Sequence, residues 1–213
     1  MAVLRIWSDL RCPWAYIATV RLHRMRDHLS AEEVIFEHRA YPLELTEGGL
    51  LSENAARAEM VAAAQLESSL FSLYDGTTWP TSYLMAFEAQ KWGYALGQDL
   101  GERFDLALRR AFFLHGHNLS MRDVLLAVAE TEQLSAEQLA AVLDDGRFRQ
   151  AVMDDYQEAV SIGIEGSPQV LVPDGESHHN PGVSFRWARG LPIIEADHPS
   201  VYEDLIQLGA VEW

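Results

Sequence analysis

The chain has 213 residues and a mass of 24.0 kDa, is 48% hydrophobic, and carries a formal net charge of −16. That length and apolar content can bury a full core, either as one large domain or as a small domain with an insertion. The acidic balance argues against a nucleic-acid partner, since phosphate-backbone binding relies on clustered Lys and Arg. No apolar run approaches the ~18 residues that crossing a membrane requires.

Residues 3–8 form an apolar run of strand length, and residues 13 to about 28 carry apolar side chains at helical spacing. Between them lies the only cysteine, in Ser8-Asp9-Leu10-Arg11-Cys12-Pro13-Trp14-Ala15. A thiol delivered to a helix N-terminus meets unpaired backbone N–H groups and the positive end of the helix dipole. Pro13 suits the first helical position, where its missing N–H has no partner to lose. With Arg11 adding positive potential, the expectation is a thiol pKa lowered by several units and a nucleophilic thiolate. The competing expectation is an inert buried cysteine, a common fate of the residue type.

A second strand over residues 34–38 makes a strand, helix, strand unit, which implies a parallel pair with a right-handed crossover. From about residue 52 to 162 the period is helical. Met85, Ala89, Trp92 and Leu96 fall on one stripe expected in the core. Ser120 with Asp123, and Ser135 with Gln138, read as capping boxes. Loops are expected at residues 76–80, 115–118 and 144–146, and Gly163 ends a further helix that starts near residue 147. Residues 170–172 read as a short strand with residues 184–187 as its hairpin partner, followed by a closing helix over 199–208. Sheet elements thus come from both chain ends, and the expected site is a cleft where they meet the helices. Arg21, Arg24 and Arg26 read as decoration of an exposed helix face.

The segment Ser8 to Ile17 resembles the active-site segment of the DsbA-like thioredoxin-fold family, particularly its cytoplasmic FrnE-like branch, which usually reads Ser-Asp-x-x-Cys-Pro-Trp-Cys-Tyr-Ile. Gly163-Ile164-Glu165-Gly166-Ser167-Pro168-Gln169-Val170-Leu171-Val172 resembles that family's Gly-x-x-Gly-x-Pro loop, whose proline is cis and faces the cysteine motif. Residues 36–45, with their Pro-x-x-Leu exit, resemble its second strand. The resemblance implies an α/β, thioredoxin-like fold with a large all-helical insertion: residues 1–50 and 160–213 as the thioredoxin-like part, 51–159 as the insertion. It implies Cys12 as the catalytic residue, with Arg11, Pro13, Trp14, Ser167 and Pro168 in substrate binding.

The family's second cysteine is Ala15 here. No internal disulfide can form, so a mixed disulfide on Cys12 must be resolved by an external thiol. The resemblance then implies a monothiol thiol-disulfide oxidoreductase with no tightly bound cofactor and with glutathione or mycothiol as co-substrate. Two alternatives stand beside it. One is a thiol-dependent transferase or isomerase, of the kappa-class glutathione transferase or 2-hydroxychromene-2-carboxylate isomerase type. The other is a binding module that has lost catalysis. His115-x-His117 and His178-His179 lack the ligand count of a zinc site, so no metal is expected. Residues 1–7 lack the charged and apolar regions of a signal peptide, and one cysteine agrees with a reducing compartment, so the expected location is the cytoplasm. The sequence specifies neither the substrate nor an oligomeric state.

Overall fold

The computed structural model describes residues 2–76 and 78–210. Strand β1 (Ala2–Ser8) is followed by helix α1 (Pro13–Leu29) and strand β2 (Val34–Ala40). β1 and β2 pair in parallel, with Leu4 opposite Phe36 and Ile6 opposite His38. β2 alternates buried and half-buried positions, so Val34, Phe36, His38 and Ala40 face inward, the period-2 signature of a strand with one packed face. On α1, Ala18 and Leu22 pack against Leu4, Ile6, Val34 and Phe36.

Helices α2 (Glu53–Ala63), α3 (Leu84–Leu96), α4 (Gln98–Phe113), α5 (Arg122–Thr131), α6 (Ala136–Asp145) and α7 (Arg149–Ile162) follow. Then come β3 (Gln169–Leu171), β4 (Ser177–His179), β5 (Val183–Ala188), β6 (Leu191–Asp197) and α8 (Val201–Ala210). The main sheet has the order β2-β1-β3-β4, with β3 antiparallel to both β1 and β4. This is the α/β, thioredoxin-like arrangement with a large helical insertion that the sequence led us to expect. No helix among the described residues is long and apolar enough to cross a membrane.

Three local expectations are corrected. Residues 184–187 do not pair with β3; they lie in β5, which forms a separate two-stranded sheet with β6. A two-residue loop, Arg189 and Gly190, both at positive φ, closes that hairpin, so a local turn prevails over the longer-range pairing. Ser135 caps α6 by accepting from the Gln138 amide at 3.2 Å, but Ser120 caps nothing: α5 starts at Arg122, and the Asn118 side chain takes the Ser120 amide in an Asx turn. On α3, Ala89 and Trp92 are core residues whereas Leu96, at the C-terminal end, is exposed. Thr77, in the expected 76–80 loop, lies outside the described residues.

His38 is buried and stacked on Tyr94 of α3, with neither ring nitrogen partnered among the described residues. Burial lowers its pKa to about 4, with Asp105 and Glu102 opposing and Arg109 and His23 assisting. The neutral ring favours the native state, so its contribution is present above pH 6.5 and is lost as pH falls toward 4. Glu59, with its pKa raised to about 7, acts in the opposite direction over part of that range and masks the effect in wild type. A His38→Phe variant removes only the histidine's share. Its stability relative to wild type is expected to improve by about 2–3 kcal/mol between pH 7.5 and 4.5, measured by urea unfolding. A pH-independent difference would contradict the buried neutral imidazole.

Candidate active site

β1 ends at Ser8, and the loop that carries the chain into α1 is fixed from several sides. Asp9, fully buried, accepts from the Arg11 amide at 2.6 Å, the Leu43 amide at 2.8 Å and the Tyr83 hydroxyl at 2.8 Å. Its own amide donates to the Ser167 hydroxyl at 2.8 Å. Its carbonyl accepts from the Cys12 amide at 3.3 Å and from Arg109 at 3.0 Å. Burial raises the Asp9 pKa against the pull of these donors.

Arg109 reaches the loop from α4 and is 0% exposed. It donates to Ser8 Oγ at 2.8 Å and pairs with Asp105, one turn earlier, at 2.9 Å. Gln90 of α3 donates to Asp105 at 2.5 Å. A buried ion pair on the helical insertion therefore holds the end of β1, the strand that delivers the cysteine.

Cys12 is the N-cap of α1, with Pro13 in the first turn, as the sequence suggests. Its thiol donates to the carbonyl oxygen of Ser167 at 3.0 Å, and the Ser167–Pro168 peptide bond is cis. Ser167 thus touches both sides of the cysteine loop, its hydroxyl accepting from Asp9 and its carbonyl from the thiol. Ala15 is fully buried on the same helix.

The expected thiolate is corrected. Cys12 is 5% exposed, and burial pushes its pKa up to about 12. The Glu59 carboxylate on α2 pushes the same way, the Ser167 side chain and the Ala15 amide favour the anion, and Asp9 opposes it. The helix N-terminus does act on the sulfur, but removal of water and two nearby carboxylates outweigh it. Arg11 does not offset them. Its guanidinium donates to the Pro80 carbonyl and lies over the rings of Trp79 and Tyr83, 5.1 and 4.8 Å from their centroids.

The Cys12 end of the expected cleft is covered. Trp14, 3% exposed, stacks on Phe185 of β5 at 4.5 Å, so the β5–β6 hairpin roofs this end of α1. Arg21 holds the hairpin down with two bonds to Asp197 at 2.6 and 2.9 Å, and also pairs with Glu67 at 2.9 Å. It is buried and bridging, not surface decoration. Pro13 and Pro168 are buried in the same closed site.

The sequence reading overlooked Glu59, Asp105 and Arg109 as parts of this site. Each left a signal. Ala56, Met60 and Ala63 form an i, i+4, i+7 stripe, and Glu59 interrupts it; Asp105 and Arg109 likewise fall among Phe104, Leu108 and Phe112. A charged residue on an apolar stripe marks a buried interaction.

A family model described as a DSBA-like thioredoxin domain matches residues 3–185. No curated protein matches the sequence. Among solved structures, a probable DsbA oxidoreductase from Streptomyces coelicolor is 20% identical, with a TM-score of 0.72 over 98% of this chain and 90% of its own. The cytosolic disulfide reductase DsbM from Pseudomonas aeruginosa, solved with GSH, is 19% identical, with a TM-score of 0.63 over 83% of this chain and 88% of its own. A 2-hydroxychromene-2-carboxylate isomerase is 13% identical, with a TM-score of 0.65 over 83% and 87%. At these identities the likenesses establish the fold.

Proposed function

Because the chain belongs to the DSBA-like thioredoxin domain family, we propose that it is a thiol-disulfide oxidoreductase of the FrnE-like branch that works with a single thiol. Cys12 attacks one sulfur of a substrate disulfide, whose S–S bond breaks, and the departing sulfur leaves as a thiol carrying the proton that Cys12 gives up. The mixed disulfide on Cys12 then reacts with free glutathione or mycothiol. That exchange restores the Cys12 thiol and carries the retained sulfur away as a new disulfide. The observation that carries this reading is the single sulfur: Cys12 is the only cysteine, and the buried Ala15 stands where a resolving thiol would sit. DsbM, named a disulfide reductase and solved with GSH, supports a small thiol as the partner.

In this reading the Ser167 main chain pairs with the cysteinyl part of the thiol, now the place of the Cys12 proton. Pro13, Trp14 and Pro168, buried around the thiol, supply apolar contact. Arg11 acts by holding the cysteine loop, since its guanidinium is enclosed. The need for a free small thiol places the reaction in a reducing compartment such as the cytoplasm.

One observation favours the transferase or isomerase reading. A thiol with its pKa near 12 is almost wholly protonated at neutral pH, and a cofactor's own sulfur would then do the chemistry while Cys12 orients it. Turnover of a glutathione mixed disulfide by glutathione or by mycothiol separates the two. Wild type is expected to turn over and Cys12→Ser to be inactive while keeping its melting curve. No turnover by wild type with either thiol would remove the oxidoreductase reading. A thiol-dependent reaction retained by Cys12→Ser would favour the transferase or isomerase.

A further inference from the structure

In a chain of net charge −16, an arginine without an acidic partner stands out. Among the described residues every arginine except Arg110 and Arg189 bonds to a carboxylate or a carbonyl. Arg189 lies exposed at the tip of the β5–β6 hairpin. Arg110 lies instead on the wall of a cavity of about 180 Å³, formed by α4, the turn that follows it and α5.

The local fold explains why this cavity is basic. α4 ends at Phe113, and Gly116, at a φ of 65°, turns the chain back on the helix. The His115 amide then donates to the Arg110 carbonyl at 3.2 Å and the His117 amide to the Ala111 carbonyl at 2.8 Å. Both imidazoles line the cavity with Arg110, their ring centroids 5.9 Å apart. Free carbonyls at a helix C-terminus would repel an anion. Here the Phe112 carbonyl accepts from the Gly116 amide at 3.2 Å, the Phe113 carbonyl from the Ser72 amide at 2.9 Å, and the Leu114 carbonyl from the Ser72 hydroxyl. The carbonyls from Arg110 to Leu114 are therefore occupied.

Other polar groups on the wall are also committed. Arg103 holds the Glu132 carboxylate at 3.0 Å, and the Thr131 hydroxyl donates to the Ala127 carbonyl at 2.9 Å. Burial raises the pKa of Tyr16, a neighbour of Arg110, so that phenol stays neutral and leaves the guanidinium charge uncompensated. Ala107, Ala111, Ala127 and Val128 make the remaining wall apolar. A second cavity, of about 300 Å³ beside α2, lacks such a free cation, because its Arg57 is bonded to Glu53 and to the Tyr74 carbonyl.

We propose that the cavity between α4 and α5 binds a small organic acid, with its carboxylate on Arg110 and the two histidines and its apolar body against the alanines and Val128. A guanidinium fork matches a carboxylate through two parallel hydrogen bonds, and the apolar wall removes hydrocarbon from water. The volume is several times the ~30 Å³ share of one water molecule, enough for a single ring or a short hydrocarbon chain. The site shares no lining residue with the surroundings of Cys12 described above, and binding there needs neither a thiol nor a disulfide.

Titration of para-fluorobenzoate into the protein at low ionic strength, followed by the fluorine NMR signal of the ligand, tests the assignment. Wild type is expected to bind it at one saturable site with a Kd of about 1 mM or tighter. Uncharged para-fluorobenzamide and inorganic phosphate, which lack the charge and the apolar body respectively, are each expected to bind at least about tenfold more weakly. Arg110→Gln is expected to weaken para-fluorobenzoate binding roughly ten- to a hundredfold, the loss of a charge-assisted hydrogen-bonded pair. Ala127→Leu, at an exposed helical position, fills the cavity while keeping all three basic side chains, and it is expected to abolish binding. Unchanged melting curves show that both variants are folded. No saturable binding by wild type, undiminished binding by either variant, or equal binding of either control compound overturns the assignment.

Discussion

Arg109→Met is expected to lower the unfolding free energy by about 3–5 kcal/mol, because it leaves Asp105 as an uncompensated buried charge. Both side chains are essentially unexposed, and Asp105 would keep only the Gln90 amide as a donor. The substitution also strips donors from Ser8 Oγ and the Asp9 carbonyl, at the junction that carries Cys12. At a slope of about 2–4 °C per kcal/mol for a chain of this size, the melting temperature should fall by roughly 6–20 °C. The double variant Arg109→Met with Asp105→Leu removes both charges together, and it is expected to recover much of the loss, since apolar replacement of a buried pair is often neutral. A single variant within about 0.5 kcal/mol of wild type would mean that the pair does not anchor the loop.

Ala15→Cys tests what the missing sulfur changed. Our reading of the motif puts a resolving thiol at the position of Ala15, on the first turn of the helix that Cys12 caps. The variant is expected to close a disulfide between Cys12 and the introduced thiol in a glutathione redox buffer, seen by intact mass as the loss of two hydrogens. Release of a bound small thiol should then cease to depend on external thiol. A tethered thiol acts at an effective concentration on the order of millimolar, so release at about 10 μM external thiol should accelerate about a hundredfold. A folded variant that stays glutathionylated would show that position 15 does not present its side chain to Cys12, and would contradict the reading of Ala15 as the place of a resolving thiol.

What the sequence made legible was local or carried by motif. The β1, α1, β2 unit was readable because its apolar periods switch cleanly, and Cys12 at the N-cap followed from Pro13 beside it. The Ser167–Pro168 loop was legible only through resemblance. The thiol's environment was not legible, because it depends on three-dimensional enclosure: Phe185 of a late hairpin stacks on Trp14, and burial leaves Cys12 5% exposed. A helix N-terminus read in isolation predicts a stabilised thiolate, and the same terminus under a roof holds a thiol. Arg21 shows the same limit, as a basic residue on α1 looks like surface until Asp197, 176 positions later, closes on it. The β5–β6 hairpin was misread because a short strand in sequence names no partner, and a two-residue turn supplied a nearer one.

The central claim is that Cys12 acts alone and depends on a small thiol from outside. Intact-mass analysis of the folded protein after exposure to glutathione disulfide tests it most directly. The account predicts a single glutathione adduct, located on Cys12, that persists in buffer and is released when free glutathione or another small thiol is added. A folded protein that takes up no adduct, under conditions that modify the unfolded chain, would contradict it and leave Cys12 a buried core residue.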